Sequence, residues 1–272
     1  MPRPDLVCPA CRHATDGALY VQLPVPHGTG LRCACGAQYP IVDGVPLLFR
    51  ELDAWLASEG PEAIRRVDVD PELEAELCRR SGGTLARNHS LRQVYQASRA
   101  GPLQDRLRAC VESLPGSVGE FGAGLGACAR PDVVALDHNL ALLRHHPGIR
   151  VAGDAADPPF LPRSFDALVL PNLLDSCADP GLVLAQAEAL LRPRGKLVVT
   201  CAYAFQDGIT PASRRFQPEQ LRAAMSGESP FLGWPLALRL LEEEDRIPWP
   251  LHLGPRLVHT HATHWLVSEK VG

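Results

Sequence analysis

The rhythm of apolar and polar positions divides the chain into three stretches. Through about residue 50 the apolar runs are short and broken by Pro and Gly, as in "ALYVQLPV" and "YPIVDGVPLLF", which predicts strands joined by turns. From Glu51 to about Leu114 the apolar spacing becomes helical, in "ELDAWLASEGPEAIRRV", "PELEAELCRR" and "LRQVYQASRAGPLQDRLRACVESL". From Ser117 onward "SVGEFGAG", "DVVALD", "IRVAGD" and "FDALVLPN" read as strands, "PGLVLAQAEALLRPRG" as a helix and "KLVVTCAY" as another strand. Strands alternating with helices predict an α/β fold, a mostly parallel sheet covered on both faces. "RLVHTHATHWLVSEK" reads as a final antiparallel strand whose alternation puts His259 and His261 on one face and His264 on the other. "DRIPWPLHL" holds too many prolines for a central strand and is expected at an edge or in a lid.

At 272 residues, with 46% hydrophobic and 21% charged positions, the chain can bury a sizeable core. No window approaches the roughly 18 to 20 consecutive apolar residues of a membrane span, and "MPRPDLVCPA" lacks the apolar core of a secretory signal. A cytoplasmic location away from membranes is therefore the expectation. A formal net charge of −4 gives no general attraction for phosphate backbones, which counts against a nucleic-acid binder held by bulk electrostatics.

Five of the nine cysteines (Cys78, Cys110, Cys128, Cys177 and Cys201) are scattered singly and read as small packed hydrophobes. The other four form two close pairs, Cys8-Pro-Ala-Cys11 and Cys33-Ala-Cys35. Two such knuckles can bring four thiolates to one tetrahedral Zn²⁺, and so small a β module has too little core to fold securely without a staple. The second pair is tighter than the usual C-x-x-C knuckle. Together with "CPAC", the stretch "CGAQYPIVDGVPLLF" resembles the small zinc-ribbon family typified by the activator subunit of tRNA and translation-release-factor methyltransferases. The resemblance implies a structural zinc on Cys8, Cys11, Cys33 and Cys35, in a ribbon that supports a catalytic domain and performs no chemistry itself.

In "VGEFGAGLGA" the glycines sit at a strand end, where a backbone without Cβ atoms can turn sharply and approach a ligand. Asp137 ends the next strand, placed to accept hydrogen bonds from ribose hydroxyls. These two features fit a dinucleotide as well as other nucleosides. With "VAGDAADPPFLPRSFDALVLPNLLDS" and "ALLRPRGKLVVT", the ordered run resembles class I S-adenosylmethionine-dependent methyltransferases. That resemblance implies a Rossmann-like sheet. It assigns the methionine part of the cofactor to Glu120, Gly122, Ala123, Gly124 and Gly126, the ribose to Asp137 with His138, the adenine to Asp154 and Ala155, and a strand-exit contact to Asn172 and Leu173. The domains are then a zinc ribbon over 1–50, a helical linker or lid over 51–114, and a methyltransferase domain over 115–272. Few residues separate Gly126 from Val133, so the helix that normally follows the loop must be stunted, and "GSVGEFGAGLGACARPDVVALDHN" resembles the wobble-uridine tRNA methyltransferases in this respect.

Methyl transfer from a sulfonium demands alignment of the acceptor and, for some acceptors, removal of a proton. The acceptor pocket is expected from Asn172 and Asp175, from Tyr203 after the next strand, and from His89 and Tyr95 on the helices. His259, His261 and Tyr203 are the candidate catalytic residues, and His259 and His261 with His252 offer a second metal site. The leading reading is methyl transfer to a small-molecule or peptide acceptor. A tRNA or translation-factor methyltransferase, and an inactive methyltransferase-like scaffold subunit, are the alternatives.

Overall fold

The computed structural model describes residues 5–15, 18–20, 23–63, 76, 79–80, 83–126, 130–228 and 235–272. A hairpin of β1 (His13–Thr15) and β2 (Ala18–Tyr20) precedes a four-stranded meander, β3 (Val25–His27), β4 (Gly30–Arg32), β5 (Gln38–Val42) and β6 (Val45–Leu48). Asp43 and Gly44 join the last two strands with φ of 52° and 74°, the left-handed pair that a type I′ hairpin turn requires. Helices α1 (Leu52–Ala63), α2 (Gly83–Ala97) and α3 (Pro102–Ser113) follow, the break between α2 and α3 falling at Gly101-Pro102.

The rest alternates as the periodicity predicts: β7 (Val118–Phe121), β8 (Val134–Asp137), α4 (Leu140–Leu143), β9 (Ile149–Gly153), β10 (Phe165–Pro171), α5 (Pro180–Leu190), β11 (Leu191–Cys201), α6 (Pro218–Met225), β12 (Leu238–Gly254) and β13 (Leu257–Lys270). Eleven strands form one sheet in the order β12-β13-β11-β10-β7-β8-β9-β6-β5-β4-β3. β7 to β11 are mutually parallel, and β13 runs antiparallel to β11. Because β8 and β9 lie on one side of β7 and β10 and β11 on the other, the chain changes direction at β7, and a crevice opens at the carboxyl ends there. This is the Rossmann-like α/β fold expected from the sequence.

Apolar burial on both faces explains the near-continuous apolar strands. Leu103, Leu107 and Val111 of α3 cover Val118, Val169, Val198 and Trp265 on one face, and α5 and α6 cover Leu168, Leu170, Leu197 and Leu266 on the other. Asp179 caps α5 by accepting from the Leu182 N–H, and Pro180 opens it. The helix stops at Leu190, short of the Gly195 end expected from its periodicity; Pro193 cannot continue it, Arg194 takes φ 65°, and the strand starts at Leu191. None of the described residues between Gly122 and Val133 is helical.

Two additions extend the sheet. The β module joins it directly: β6 pairs in parallel with β9 through Leu47–Ala152 and Leu48–Gly153, and Val7 N–H donates to Pro159 O at 2.9 Å. At the other end, β13 pairs with β11 only from His264 to Glu269, so residues 257–263 and their β12 partners overshoot the end of β11 by roughly 20 Å. β12, with Pro248 and Pro250, is the edge strand, as its prolines demand. Helix α2 touches α1, α4 and β12, so it spans the carboxyl ends of the strands from the β8 side to the overshooting hairpin. No helix of the described residues is long and apolar enough to cross a membrane.

Candidate active site and metal centre

At the tip of β7 three left-handed glycines, Gly122 (φ 68°), Gly124 (φ 51°) and Gly126 (φ 88°), turn the chain across the end of β8. Gly122 N–H donates to Leu136 O at 2.8 Å, and Gly126 N–H to Ala123 O at 2.7 Å. A Cβ on Gly122 would lie 2.9 Å from Leu173, whereas one on Gly124 would meet nothing within 4 Å. The first glycine is needed by the protein's own packing; the second bares backbone to open space, the cradle a bound nucleoside would fill. Ala123 is buried beneath the loop.

Asp137 ends β8 and ties this loop down: Oδ2 accepts from Gly124 N–H and Oδ1 from Asn139 N–H, both at 2.7 Å. Burial raises its carboxyl above the ordinary value, against the pull of those two N–H groups. Glu120 is buried one strand away, its Oε2 3.3 Å from His146 Nε2. His146 Nδ1 accepts from Gly148 N–H, so the ring proton sits on Nε2 and faces Glu120. Sequence reasoning missed this pairing, since nothing local marks His146 as a partner. His138 is exposed, its ring edge-on to Phe49 and Trp55, and its carbonyl accepts from Trp55 Nε1–H at 3.1 Å. Asp154 is exposed at the end of β9, its Oδ1 accepting from Ala156 N–H at 2.8 Å, with half-buried Ala155 beside it.

The exits of β10 and β11 carry two non-glycine residues in left-handed backbone, Asn172 (φ 49°) and Tyr203 (φ 55°). Thr200 secures the first: its Oγ1–H donates to Asn172 Oδ1 and its Oγ1 accepts from Asn172 N–H, each at 3.0 Å. Leu173 packs against Gly122. The Tyr203 hydroxyl lies 2.6 Å from His264 Nδ1, His264 Nε2 lies 3.1 Å from Glu243 Oε1, and Arg222 Nε donates to Glu243 Oε2 at 2.9 Å. Glu243 fixes the ring proton on Nε2, so Tyr203 donates to Nδ1. Glu242 and Glu244 pair with Arg106 on the exposed face of β12.

Asp175 is buried; its Oδ2 accepts from Ala204 N–H at 3.0 Å, and burial raises its carboxyl. Tyr95 on α2 feels both Asp137 and Asp175, which add to burial in raising its hydroxyl. The His259 and His261 rings stack at 4.5 Å, and Trp249 lies 5.4 Å beyond His261. Burial first, then His259, lowers the pKa of His261, while Asp175 pulls it back. Asp137 and Asp175 thus both act on Tyr95, Asp175 also acts on His261, and the Tyr203 hydroxyl is turned toward His264. The side chain of His89, and Cys78 and Cys128, lie outside the described residues.

In the β module, the sulfurs of Cys8, Cys11, Cys33 and Cys35 all lie within 4.8 Å of one another, with Cys8–Cys35 at 3.8 Å and Cys11–Cys33 at 3.7 Å. A tetrahedron of Zn–S bonds of about 2.3 Å has sulfurs about 3.8 Å apart, and a disulfide would need about 2 Å. The donor set therefore fits zinc. The knuckles close through Arg12 N–H to Cys8 O and Gly36 N–H to Cys33 O, each 3.0 Å, with Gly36 at φ 96° relieving the tight second pair. Tyr39, whose oxygen accepts from Ala10 N–H, directs its hydroxyl at Cys8 Sγ 3.1 Å away. Burial pushes Cys11 and Cys33 up, and the Ala37 N–H draws Cys35 down to about 7. Among the described residues this is the one such cluster; His252, His259 and His261 do not form a second.

Residues 119–199 match the family model described as "Methyltransferase domain". The demethylmenaquinone methyltransferase of Renibacterium salmoninarum is 39% identical over 101 residues, covering 33% of this chain and 43% of the relative. That of Paenarthrobacter aurescens is 31% identical over 133 residues, covering 43% of this chain and 51% of the relative. A chain in the complex of the Haloferax volcanii Trm112 methyltransferase activator with a methyltransferase superposes with TM-score 0.44 at 16% identity, covering 62% of this chain and 92% of the other. Phosphoethanolamine N-methyltransferase 2 of Haemonchus contortus, solved with S-adenosyl-L-methionine, gives 0.43 at 12% identity, covering 76% and 61%. The chain spans about half the length of the curated relatives it matches, and the part that matches the family model runs from β7 into β11.

Proposed function

We propose that the chain is an S-adenosylmethionine-dependent methyltransferase acting on a small-molecule acceptor, with a structural zinc on Cys8, Cys11, Cys33 and Cys35. The observation that carries the reading is the Gly124 N–H to Asp137 bond beside open space at the switch point of the sheet, with Asp154 at the next strand end. Gly122 to Gly126 would cradle the methionine part, Asp137 the ribose, and Asp154 with Ala155 the adenine. When bound, the cofactor supplies a methyl group activated on a sulfonium. The protein's own work is to exclude water and hold the acceptor in line. Helix α2 and the β12–β13 hairpin cover the crevice, and Asn172, held by Thr200, gives its floor a fixed shape.

His261 is the proposed proton acceptor. Its lowered basicity leaves it neutral at neutral pH, and Asp175 would steady the imidazolium that forms. Tyr203 acts through its hydrogen bond to His264, keeping the loop after β11 in place. The charged groups around the cleft, Asp137, Asp154 and Asp175, are acids, which favours a small acceptor over tRNA. Exposed Leu253, Leu257 and Val258 at the hairpin end favour an acceptor with an apolar body, and demethylmenaquinone, named for both curated relatives, is the first compound to try. Isothermal titration with S-adenosylhomocysteine tests the cofactor reading. Saturable one-to-one binding is expected, and absence of binding by a folded chain refutes it.

A further inference from the structure

Asp157 lies three residues beyond Asp154, in the turn that leaves β9, and the N-terminal module grips it with two arginines. Arg12, next to Cys11, is buried; its Nη1 donates to Asp157 Oδ1 at 2.9 Å, and its Nη2 reaches Gln186 Oε1 on α5. Arg50, just past β6, donates from Nε to Asp157 Oδ2 at 2.8 Å and from Nη2 to Asp157 Oδ1 at 3.2 Å. The same Nη2 donates to Arg12 O at 2.6 Å, so the two arginines are also locked to each other. Both carboxylate oxygens are engaged.

The turn they hold is a short one. Asp157 N–H donates to Asp154 O at 3.1 Å, and Ala156 N–H to Asp154 Oδ1 at 2.8 Å. On its other side Gly153 is paired with Leu48 of β6. The chain on either side of Asp154, at Gly153 and at Asp157, is thus tied to the N-terminal module. A module serving only to cover a sheet edge would need the strand pairing and the apolar contacts. A buried guanidinium and a forked second one on a single carboxylate add direction to that attachment.

We infer that Arg12 and Arg50, by clamping Asp157, are positioning residues that set the direction of Asp154, so that the N-terminal module governs affinity on the adenine side of the cleft. The inference rests on the reading of that cleft as an S-adenosylmethionine site. Arg50→Gln and Asp157→Asn in the full chain test it. The Arg50 side chain is 40% exposed, so its loss opens no void and the variant folds. Removing charge-assisted bonds that aim a ligand-facing turn is expected to raise the dissociation constant of S-adenosylhomocysteine about five-fold in R50Q and about ten-fold in D157N. Exchange of the Ala156 and Asp157 amides should quicken in both. Dissociation constants within about two-fold of the parent chain in both variants overturn the inference, whatever happens to melting, because mere attachment would alter stability and spare affinity. Should the parent chain itself bind no S-adenosylhomocysteine, the cofactor reading falls, and amide exchange alone decides the clamp: faster exchange in D157N supports it, unchanged exchange overturns it.

Discussion

Gly122 and Gly124 stand two residues apart in the same turn with the same sign of φ, yet replacing each by alanine should harm different things. Alanine at either site must adopt left-handed backbone, at a cost of about 1–2 kcal/mol. At Gly122 the new methyl also collides with Leu173 at 2.9–3.2 Å, adding an overpacking term of about 1–3 kcal/mol. At Gly124 the methyl meets no protein atom within 4 Å, so the backbone cost stands alone. With about 2–4 °C lost per kcal/mol for a chain near this size, Gly124→Ala should lower the melting temperature by about 2–8 °C and Gly122→Ala by about 4–20 °C. Ligand binding should separate them the other way. In Gly124→Ala the methyl fills the cradle, and the same overpacking of about 1–3 kcal/mol now falls on the cofactor, weakening S-adenosylhomocysteine about 5- to 150-fold. The assay is circular-dichroism melting followed by titration calorimetry on both variants. A Gly124→Ala chain that binds as tightly as the parent would show that the bare backbone at 124 faces no ligand.

Metal analysis should find one zinc per chain, and Cys11→Ser should lose it and melt well below the parent, because a module this small draws much of its stability from the metal. Burial raises Asp175 above its unfolded value, so the fold favours its protonated form: its cost to stability is absent below the unfolded value and fully present above the folded one. Asp175→Asn, which can still accept from Ala204 N–H, should therefore gain stability over the parent as pH rises from 4 to 7; a gain that shrinks over that range refutes the assignment. His264→Gln should cost about 1–3 kcal/mol in denaturant melts by stranding the Tyr203 hydroxyl, while Glu243 keeps Arg222, and Tyr203→Phe should cost less, since it strands only Nδ1.

Strands such as β8 and β10 were legible because they are buried on both faces and so appear as apolar runs, and the Asp43-Gly44 turn because it needs residues that tolerate left-handed backbone. The clustered thiols and the glycine loop were legible for the same kind of reason: close backbone approach and metal coordination restrict residue type at short spacing. Long-range partners leave no such trace. Nothing near Arg12 announces Asp157, 145 positions away, and nothing near Glu120 announces His146. The parallel pairing of β6 with β9 was hidden too, since an apolar tetrapeptide buried throughout reads the same whether it closes a small module or extends a large sheet.

The two sides of the cleft are built differently, and this bears on where specificity resides. On the floor, Asn172 and Tyr203 hold left-handed backbone that costs about 1–2 kcal/mol each, and each is secured by a dedicated partner, Thr200 or His264, both buried. Conformations of that cost persist only where neighbours over-determine them, so the exits of β10 and β11 cannot drift to suit a new acceptor without losing those bonds. The roof has no comparable constraint. Just past the end of α2, Ser98 Oγ accepts from His252 N–H of β12 at 2.9 Å, and the hairpin that carries His259 and His261 runs unpaired with β11 beyond His264. Substitutions at Tyr95, Trp249 or Leu253 therefore leave the strained floor intact while changing the space above it. A change of acceptor preference is cheapest in the roof, and a cofactor held as proposed by Gly122 to Gly126, Asp137 and Asp154 should bind such variants as it binds the parent.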